Sequence, residues 1–291
     1  MQWFSGKRHA GKLARVVWEG GNGKGLEGTS PVPYFIRRGA TGEGPSNWYL
    51  ACCLSYYSLS YRDLEEMMEE RGLTIDHTTI YRWVQHSAPE LEKRCRPHLK
   101  ACNDSWRVDE TYMKIKKPWM YLYRAVDSEG NTLEFLLSPT RDAEAAKRFF
   151  VTALRRLTCS VAQASAIEQQ GDQSIGREKP KATRPLPRVI NVDKHAAYPK
   201  AIADLKASGV LPESVELRQV KDLNNLVEQD HRFMKRLVKP GLGFFSFETA
   251  WRTLRGYEAM NMMRKGQRQG VEKGDIRCQV TYIATLFGVA V

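Results

Sequence analysis

Apolar and polar positions follow two periods along this chain, and the change from one to the other divides it. From Asn47 to about Glu92 the spacing is helical, in NWYLACCLSYYSL, then SYRDLEEMMEERG, then DHTTIYRWVQHSAPEL. In the second segment Leu64, Met67 and Met68 recur at i, i+3 and i+4, while Glu65, Glu66, Glu69 and Glu70 take the outer face. Gly72 is expected to close that helix at C′, where a left-handed conformation is needed. Asp76 is suited to cap the next by accepting a backbone N–H. In the third segment Ile80, Trp83 and Val84 should face the core.

Residues 104 to 160 change character. WRVDETYMKI, WMYLYRAVD and NTLEFLLS are rich in β-branched and aromatic residues and are separated by the breakers KKP and SEG, which predicts a three-stranded antiparallel meander. RDAEAAKRFFVTALRRL then predicts an amphipathic helix with Ala145, Phe149, Leu154 and Leu157 on its buried side. Residues 163–187 lack aromatics and are rich in Gln, Lys, Pro and Ser, so they are expected to form a flexible insertion. RVINVD reads as a short buried parallel strand, followed by a helix over about Tyr198–Ala207 and a further strand, VELRQV. Two more helical segments, LNNLVEQDHRFMKRLV and FETAWRTLRGYEAMNMMRKGQ, complete the organised part. The order β-β-β-α-β-α-β-α predicts an α/β domain, a mixed sheet with helices packed on it.

Composition narrows the partners. The chain has 291 residues, 42% of them apolar, which is enough for a substantial core. Its 45 Lys and Arg against 33 Asp and Glu give a net charge of +12, a balance that suits a polyanion such as nucleic acid or an anionic membrane surface. The uncharged run WYLACCLSYY is far shorter than the roughly 20 residues a membrane span needs. No secretory core opens the chain, so a soluble cytoplasmic protein is expected. Six cysteines form no CxxC pair. Cys95, His98 and Cys102 form a metal-like grouping, but linker residues are the preferred reading.

The three N-terminal helical segments, with a Gly-containing turn before the last, fit a helix-turn-helix. His77, Thr78, Thr79 and Arg82 would then lie near the N-terminal end of the recognition helix. A three-helix bundle that binds protein fits the same pattern.

Two acids sit side by side inside the first predicted strand, Asp109 and Glu110, although strand interiors are poor in carboxylates. Asp193 ends RVINVD, and Glu228 lies in a helix expected to start near Asp222. If the first and fourth strands are neighbours, Asp109 and Asp193 come close enough to repel unless one is protonated or a cation lies between them. Mg²⁺ prefers such carboxylates together with water and phosphate oxygens, and metal ions at such a site serve phosphodiester displacement. His231, Arg232 and Lys235 follow Glu228 at i+3, i+4 and i+7, on one stripe that would suit a phosphate backbone. An ordinary charged surface face has the same spacing.

WRVDETYMKIK, YLYRAVDSEGNTLEFLLS, NVDKHAAYPKA, LNNLVEQDHRFMKR and GFFSFETAWRTLRGYEAMNMMRKGQ, with SYRDLEEMMEERGLTIDHTTIYRWVQHSAPELEKR before them, resemble the bacterial DDE transposases of the insertion-sequence-six family. The likeness runs from about Trp48 to Gln267. It implies an RNase H-like mixed-sheet catalytic domain preceded by an all-α helix-turn-helix domain. It also implies a metal-binding catalytic triad of Asp109, Asp193 and Glu228, the last two separated by 34 residues, with Lys235 at the family's basic position. The activity implied is Mg²⁺-dependent cleavage at transposon 3′ ends, with Mn²⁺ able to substitute, then strand transfer into target DNA with cointegrates as the usual product. The partners implied are the terminal inverted repeats, target DNA and further copies of the chain in a homo-oligomer. A regulator or inactive remnant that occupies the ends without cutting is the alternative.

The domains expected are an extension over 1–46, the helix-turn-helix over 47–100, the catalytic domain over 101–270 with its insertion at 163–187, and a tail over 271–291. The extension and the insertion depart from the family pattern.

Overall fold

The computed structural model describes residues 57–70, 72–116, 118–167 and 186–287. The expected extension over 1–46, nearly all of the first helical segment and most of the 163–187 insertion lie outside them. The chain divides into two compact units, Met1–Leu99 with Met234–Val291, and Lys100–Phe233.

In the first unit, helix α1 spans Tyr61–Glu69 and α2 spans His77–Cys95. Ser60 and Asp63 cap α1 reciprocally, each side chain accepting the other's backbone N–H. The helix ends as its glycine predicts. Gly72 has φ +73, its amide donates to Glu69 O at 2.8 Å, and the Leu73 amide donates to Met68 O at 3.0 Å. Asp76 caps α2 through the Thr78 amide at 2.6 Å.

The buried stripe of α2 is Ile80, Val84, Ala88, Leu91 and Cys95, the spacing of one helix face. Trp83 is only half-buried, contrary to expectation, because it lies about 100° from the centre of that stripe at 3.6 residues per turn.

Helix α6, Phe247–Arg264, which follows helices α3 (Ala143–Ile167), α4 (Ala197–Ala207) and α5 (Asn225–Val238) in the chain, packs along α2 in the same unit. Gln85 Nε2 donates to Thr253 Oγ1 at 2.7 Å, and Arg96 and Arg255 both pair with the buried Glu92. A carboxylate removed from water needs such partners. The last helix, α7, spans Ile276–Leu286, within the expected tail.

The second unit holds a five-stranded sheet in the order β3-β2-β1-β4-β5. Strands β1 (Ser105–Lys114), β2 (Trp119–Asp127) and β3 (Thr132–Ser138) form the antiparallel meander. Strand β4 (Val189–Val192) pairs parallel to β1, and β5 (Glu216–Gln219) parallel to β4. This is the mixed sheet with helices packed on it that the order of elements predicts. Helices α3 (Ala143–Ile167) and α4 (Ala197–Ala207) bury Phe149, Phe150 and Tyr198 against Trp106, Val108 and Tyr123 of the sheet.

Helix α3 continues past Leu157 to Ile167, into the segment read as a flexible insertion. The residues from Thr158 to Ile167 are polar and small, but none is Gly or Pro, so nothing local breaks the helix there. Helix α5, Asn225–Val238, follows a 3₁₀ turn over Lys221–Asn224, which puts its start a turn later than expected.

Among the described residues, no helix is long and apolar enough to cross a membrane.

Candidate active site

Strand β1 changes its buried side halfway along. Trp106 and Val108 are buried at its start, and Thr111 and Met113 at its end, so the buried parity switches from even to odd across Asp109–Glu110. The register with β2 is continuous through both acids, so the switch is one of cover rather than of backbone. The Asp109 carboxylate stays partly open while the Glu110 side chain is nearly enclosed, and both lie at the end of the sheet where β4 stops. The adjacent pair marks the crossover point.

The two acids have different partners. Glu110, on the face covered by α3 and α4, accepts from the Tyr198 hydroxyl and pairs with Arg141. Asp109, on the other face, has His231 Nδ1 3.5 Å from its Oδ2. Asp193 follows β4 directly. Its Oδ1 accepts the His195 amide at 3.0 Å, an Asx turn that fixes the carboxylate, and its Oδ2 lies 3.3 Å from the Arg141 guanidinium.

Ligand oxygens of Asp109, Glu110 and Asp193 all lie within 4.8 Å of one another. Burial pushes the Asp109 carboxyl up to about 7, with Glu110 adding to the rise and Asp193 and Glu228 contributing further. Crowded carboxylates in a partly dry site hold a proton or a cation. The donor set is all oxygen, which suits a hard divalent cation better than zinc.

Glu228 stands outside that tight group and acts on Asp109 through its charge. It lies in the first turn of α5, whose buried stripe is Val227, His231, Met234 and Leu237. That corrects the expectation of a single charged stripe. Arg232 and Lys235 are exposed, whereas His231 is buried and turns inward to Asp109. At the start of α2, Thr78 and Arg82 are exposed, Thr79 is half-buried, and His77 is drawn to Glu65 at 3.0 Å.

The Cys95, His98 and Cys102 grouping is not among the sets of three potential ligands in the described residues. Cys95 is buried, which pushes its thiol up to about 12, and Cys102 donates weakly to Thr132 O.

Residues 103–174 and 169–267 match the DDE domain of the IS240 type, which together is more than half of the chain. The chain is also 36% identical over 217 residues to the transposase for insertion sequence-like element IS431mec of Staphylococcus aureus, covering 74% of this chain and 83% of that one. It is 35% identical, over the same shares, to the transposase for insertion sequence element IS257 in transposon Tn4003, also of Staphylococcus aureus. The chain belongs to the DDE transposases of the insertion-sequence-six family. Among solved structures, the HTLV-2 integrase catalytic core domain in complex with magnesium is 15% identical and covers 62% of the transposase and 97% of its own chain. The TM-score of that match is 0.32.

Several residues that shape the transposase site stand outside the motif acids. Arg124 of β2 is fully buried directly opposite Asp109 in the strand register and pairs with Asp230 of α5 at 3.1 Å. Asn191 of β4 donates to Asn224 Oδ1 at 2.7 Å and to Val220 O at 2.9 Å, and Asn224 donates to Val108 O at 3.4 Å. These bonds tie the entry of α5 to the central strands. The sequence carried one signal for them, a lone arginine inside the otherwise apolar strand WMYLYRAVD; Asn191 and Arg141 look unremarkable until the fold places them.

Proposed function

We propose that this transposase recognises the terminal inverted repeats of its insertion sequence, cleaves to free 3′ hydroxyls, and joins them to target DNA, with cointegrates as the usual product. In this reading residues 47–100 bind the repeats through a helix-turn-helix, with His77, Thr78, Thr79 and Arg82 at the bases. Residues 101–270 carry the catalysis, between an extension over 1–46 and a tail over 271–291. Asp109, Asp193 and Glu228 form the metal-binding triad, with Mg²⁺ as the working ion and Mn²⁺ able to substitute. Arg232 and Lys235, exposed beyond Glu228 on α5, contact the phosphate backbone, and Lys235 takes the family's catalytic basic position. Paired DNA ends call for paired active sites, so the working form is a homo-oligomer on DNA.

What supports this reading most directly is the approach of the Asp109 and Asp193 carboxylates, with the Asp109 proton held up to about pH 7 by burial and neighbouring charge. Bound divalent metal supplies charge compensation at the attacking and leaving oxygens of a phosphodiester. The chain's own groups prepare for it. Asp109, Asp193 and Glu228 would hold the ion, Asp109 in its ionised form. Arg141 spans Glu110 and Asp193 and holds Glu110 by its ion pair. His231 beside Asp109 fixes that carboxylate's orientation.

The test is cleavage of a duplex that carries one end of the element, with Mg²⁺ present. The expected product is a 3′ hydroxyl at the repeat boundary that disappears when the repeat is scrambled. Binding of the end without any cut would favour a regulator, and cutting that ignores the repeat would favour a general nuclease.

A further inference from the structure

The β1–β2 hairpin continues past the carboxylates as a ladder of aromatic and cationic side chains. Residues opposite each other in an antiparallel pair project to the same face. Glu110 stands opposite Tyr123, Tyr112 opposite Tyr121, and Lys114 opposite Trp119. Tyr123 is buried against Phe149, Tyr121 is half-buried, and Tyr112 and Trp119 are 50% and 60% exposed. Tyr112 and Tyr121 are in ring contact at 5.3 Å. The reverse face, with Thr111, Met113 and Leu122, is buried, so the rings rest on a fixed backing.

Charge along this ribbon has one sign. Residues 111–126 contain no Asp or Glu, while Lys114, Lys116, Lys117 and Arg124 are cationic. Lys114 and Lys116 are exposed and make no ion pair among the described residues. Lys116 also holds φ +58 at the turn, closed by the Ile115 amide donating to Pro118 O at 3.2 Å. Glycine would be the easier residue for that conformation. Near the carboxylates, Glu110 is the next rung on the same face of β1 after Tyr112 and pairs with Arg141, so the ladder is continuous with the site.

We propose that Tyr112 and Trp119, flanked by Lys114 and Lys116, form a stacking platform for unpaired nucleobases of the DNA strand that runs away from the scissile phosphate. Exposed aromatic faces beside lysines are the chemistry that holds single-stranded nucleic acid, with little regard to base identity. Paired bases hide their faces in the duplex stack, so the platform engages a strand only where the end is frayed or cut. From Glu110 to Lys114 the strand rises about 13 Å, the reach of a few nucleotides. The location of the phosphate in this proposal rests on the catalytic reading above.

The test is equilibrium binding of the full-length transposase, without divalent metal and at fixed salt, to a duplex oligonucleotide with a short oligothymidine tail and to the same duplex with a blunt end. Wild type is expected to prefer the tailed duplex. Tyr112→Ala with Trp119→Ala should lower tailed-duplex affinity about tenfold or more and leave blunt-duplex affinity nearly unchanged. Tyr112→Leu with Trp119→Leu keeps an apolar surface without the ring faces and should show the same loss, which separates stacking from folding. Trp119→Phe should retain most of the preference.

An unchanged preference in both double variants overturns the proposal. So does a loss of preference caused only by Lys114→Gln, which would make the contact one with phosphates. A change of oligomeric state in the double variants with tailed-duplex affinity intact would assign the face to a second copy of the chain and likewise overturn it. Asp193→Ala, assayed for strand transfer in parallel, reports on the catalytic reading separately. Retained strand transfer by that variant sinks the triad but leaves the binding result standing.

Discussion

The guanidinium of Arg124 donates to the Asp230 carboxylate at 3.1 Å, and it does so from a fully buried position directly across the sheet from Asp109. The pair joins β2 to the helix that carries Glu228 two residues earlier. A buried cation of this kind adds little stability relative to an apolar core, but removing its partner strands a charge. Its place between Asp109 and α5 points to positioning, since the approach of Glu228 to Asp109 follows from where α5 is held.

Asp230→Asn should therefore destabilise the protein by about 3 to 5 kcal/mol, read as a lower denaturation midpoint. Arg124→Met combined with Asp230→Leu should recover much of that stability. Strand transfer should stay depressed in the double variant, because the apolar pair no longer fixes the helix. Full activity in the double variant would reduce the ion pair to a packing element.

The carboxyl of Asp109 makes metal-free stability depend on pH with a defined sign. Its folded pKa is raised from 3.8 to about 7. Its contribution is thus fully present below the unfolded value near 4 and is lost as pH rises through about 7, because the folded state resists ionisation. Without divalent metal, wild type should lose thermal stability between about pH 4 and about pH 7, and Asp109→Asn should lose less. Added Mn²⁺ should raise the wild-type melting temperature more at the higher pH, where no proton competes for the site. Identical pH slopes for the two proteins would contradict the assignment.

Arg141 neutralises the same group that a metal would occupy, since it pairs with Glu110 and lies 3.3 Å from Asp193. Arg141→Gln should tighten Mn²⁺ binding, measured by calorimetry, by about fivefold, the scale of one partly solvated ion pair. Weaker Mn²⁺ binding would show instead that the guanidinium is needed to shape the ligand set.

Phe149 tests the scaffold independently of the chemistry. It is fully buried against Tyr123 and Phe150. Phe149→Ala should cost about 3 to 5 kcal/mol in denaturant unfolding. A loss well under 1 kcal/mol would mean that the face between α3 and the sheet is not packed as described.

The meander, the two parallel strands and the core helices were legible because their apolar periods are short and their breakers are clear, as in KKP and SEG. The roles of the two acids in β1 were not. Trp106 and Val108 are buried on one parity and Thr111 and Met113 on the other, so no single alternation runs through the strand. Only the cover from helices far along the chain decides which acid looks toward α5. His231 parts from its helical neighbours for a related reason: Glu228, Arg232 and Lys235 lie to one side of it on the helical wheel, and the buried stripe of α5 takes in His231 at its edge. Tertiary contact, absent from any local pattern, separates His231 from Arg232. Helix α3 runs on to Ile167 although its last ten residues carry no clear apolar period, because the stretch holds no Gly or Pro to break it.

The most direct test of the catalytic assignment is joining of a pre-cleaved element end to target DNA, with Mg²⁺ or Mn²⁺, by wild type and by Asp109→Ala, Asp193→Ala and Glu228→Ala. Each variant should still bind the end, and each should reduce joining by several orders of magnitude. Joining by Asp193→Ala at the wild-type rate would contradict the assignment of these carboxylates to catalysis.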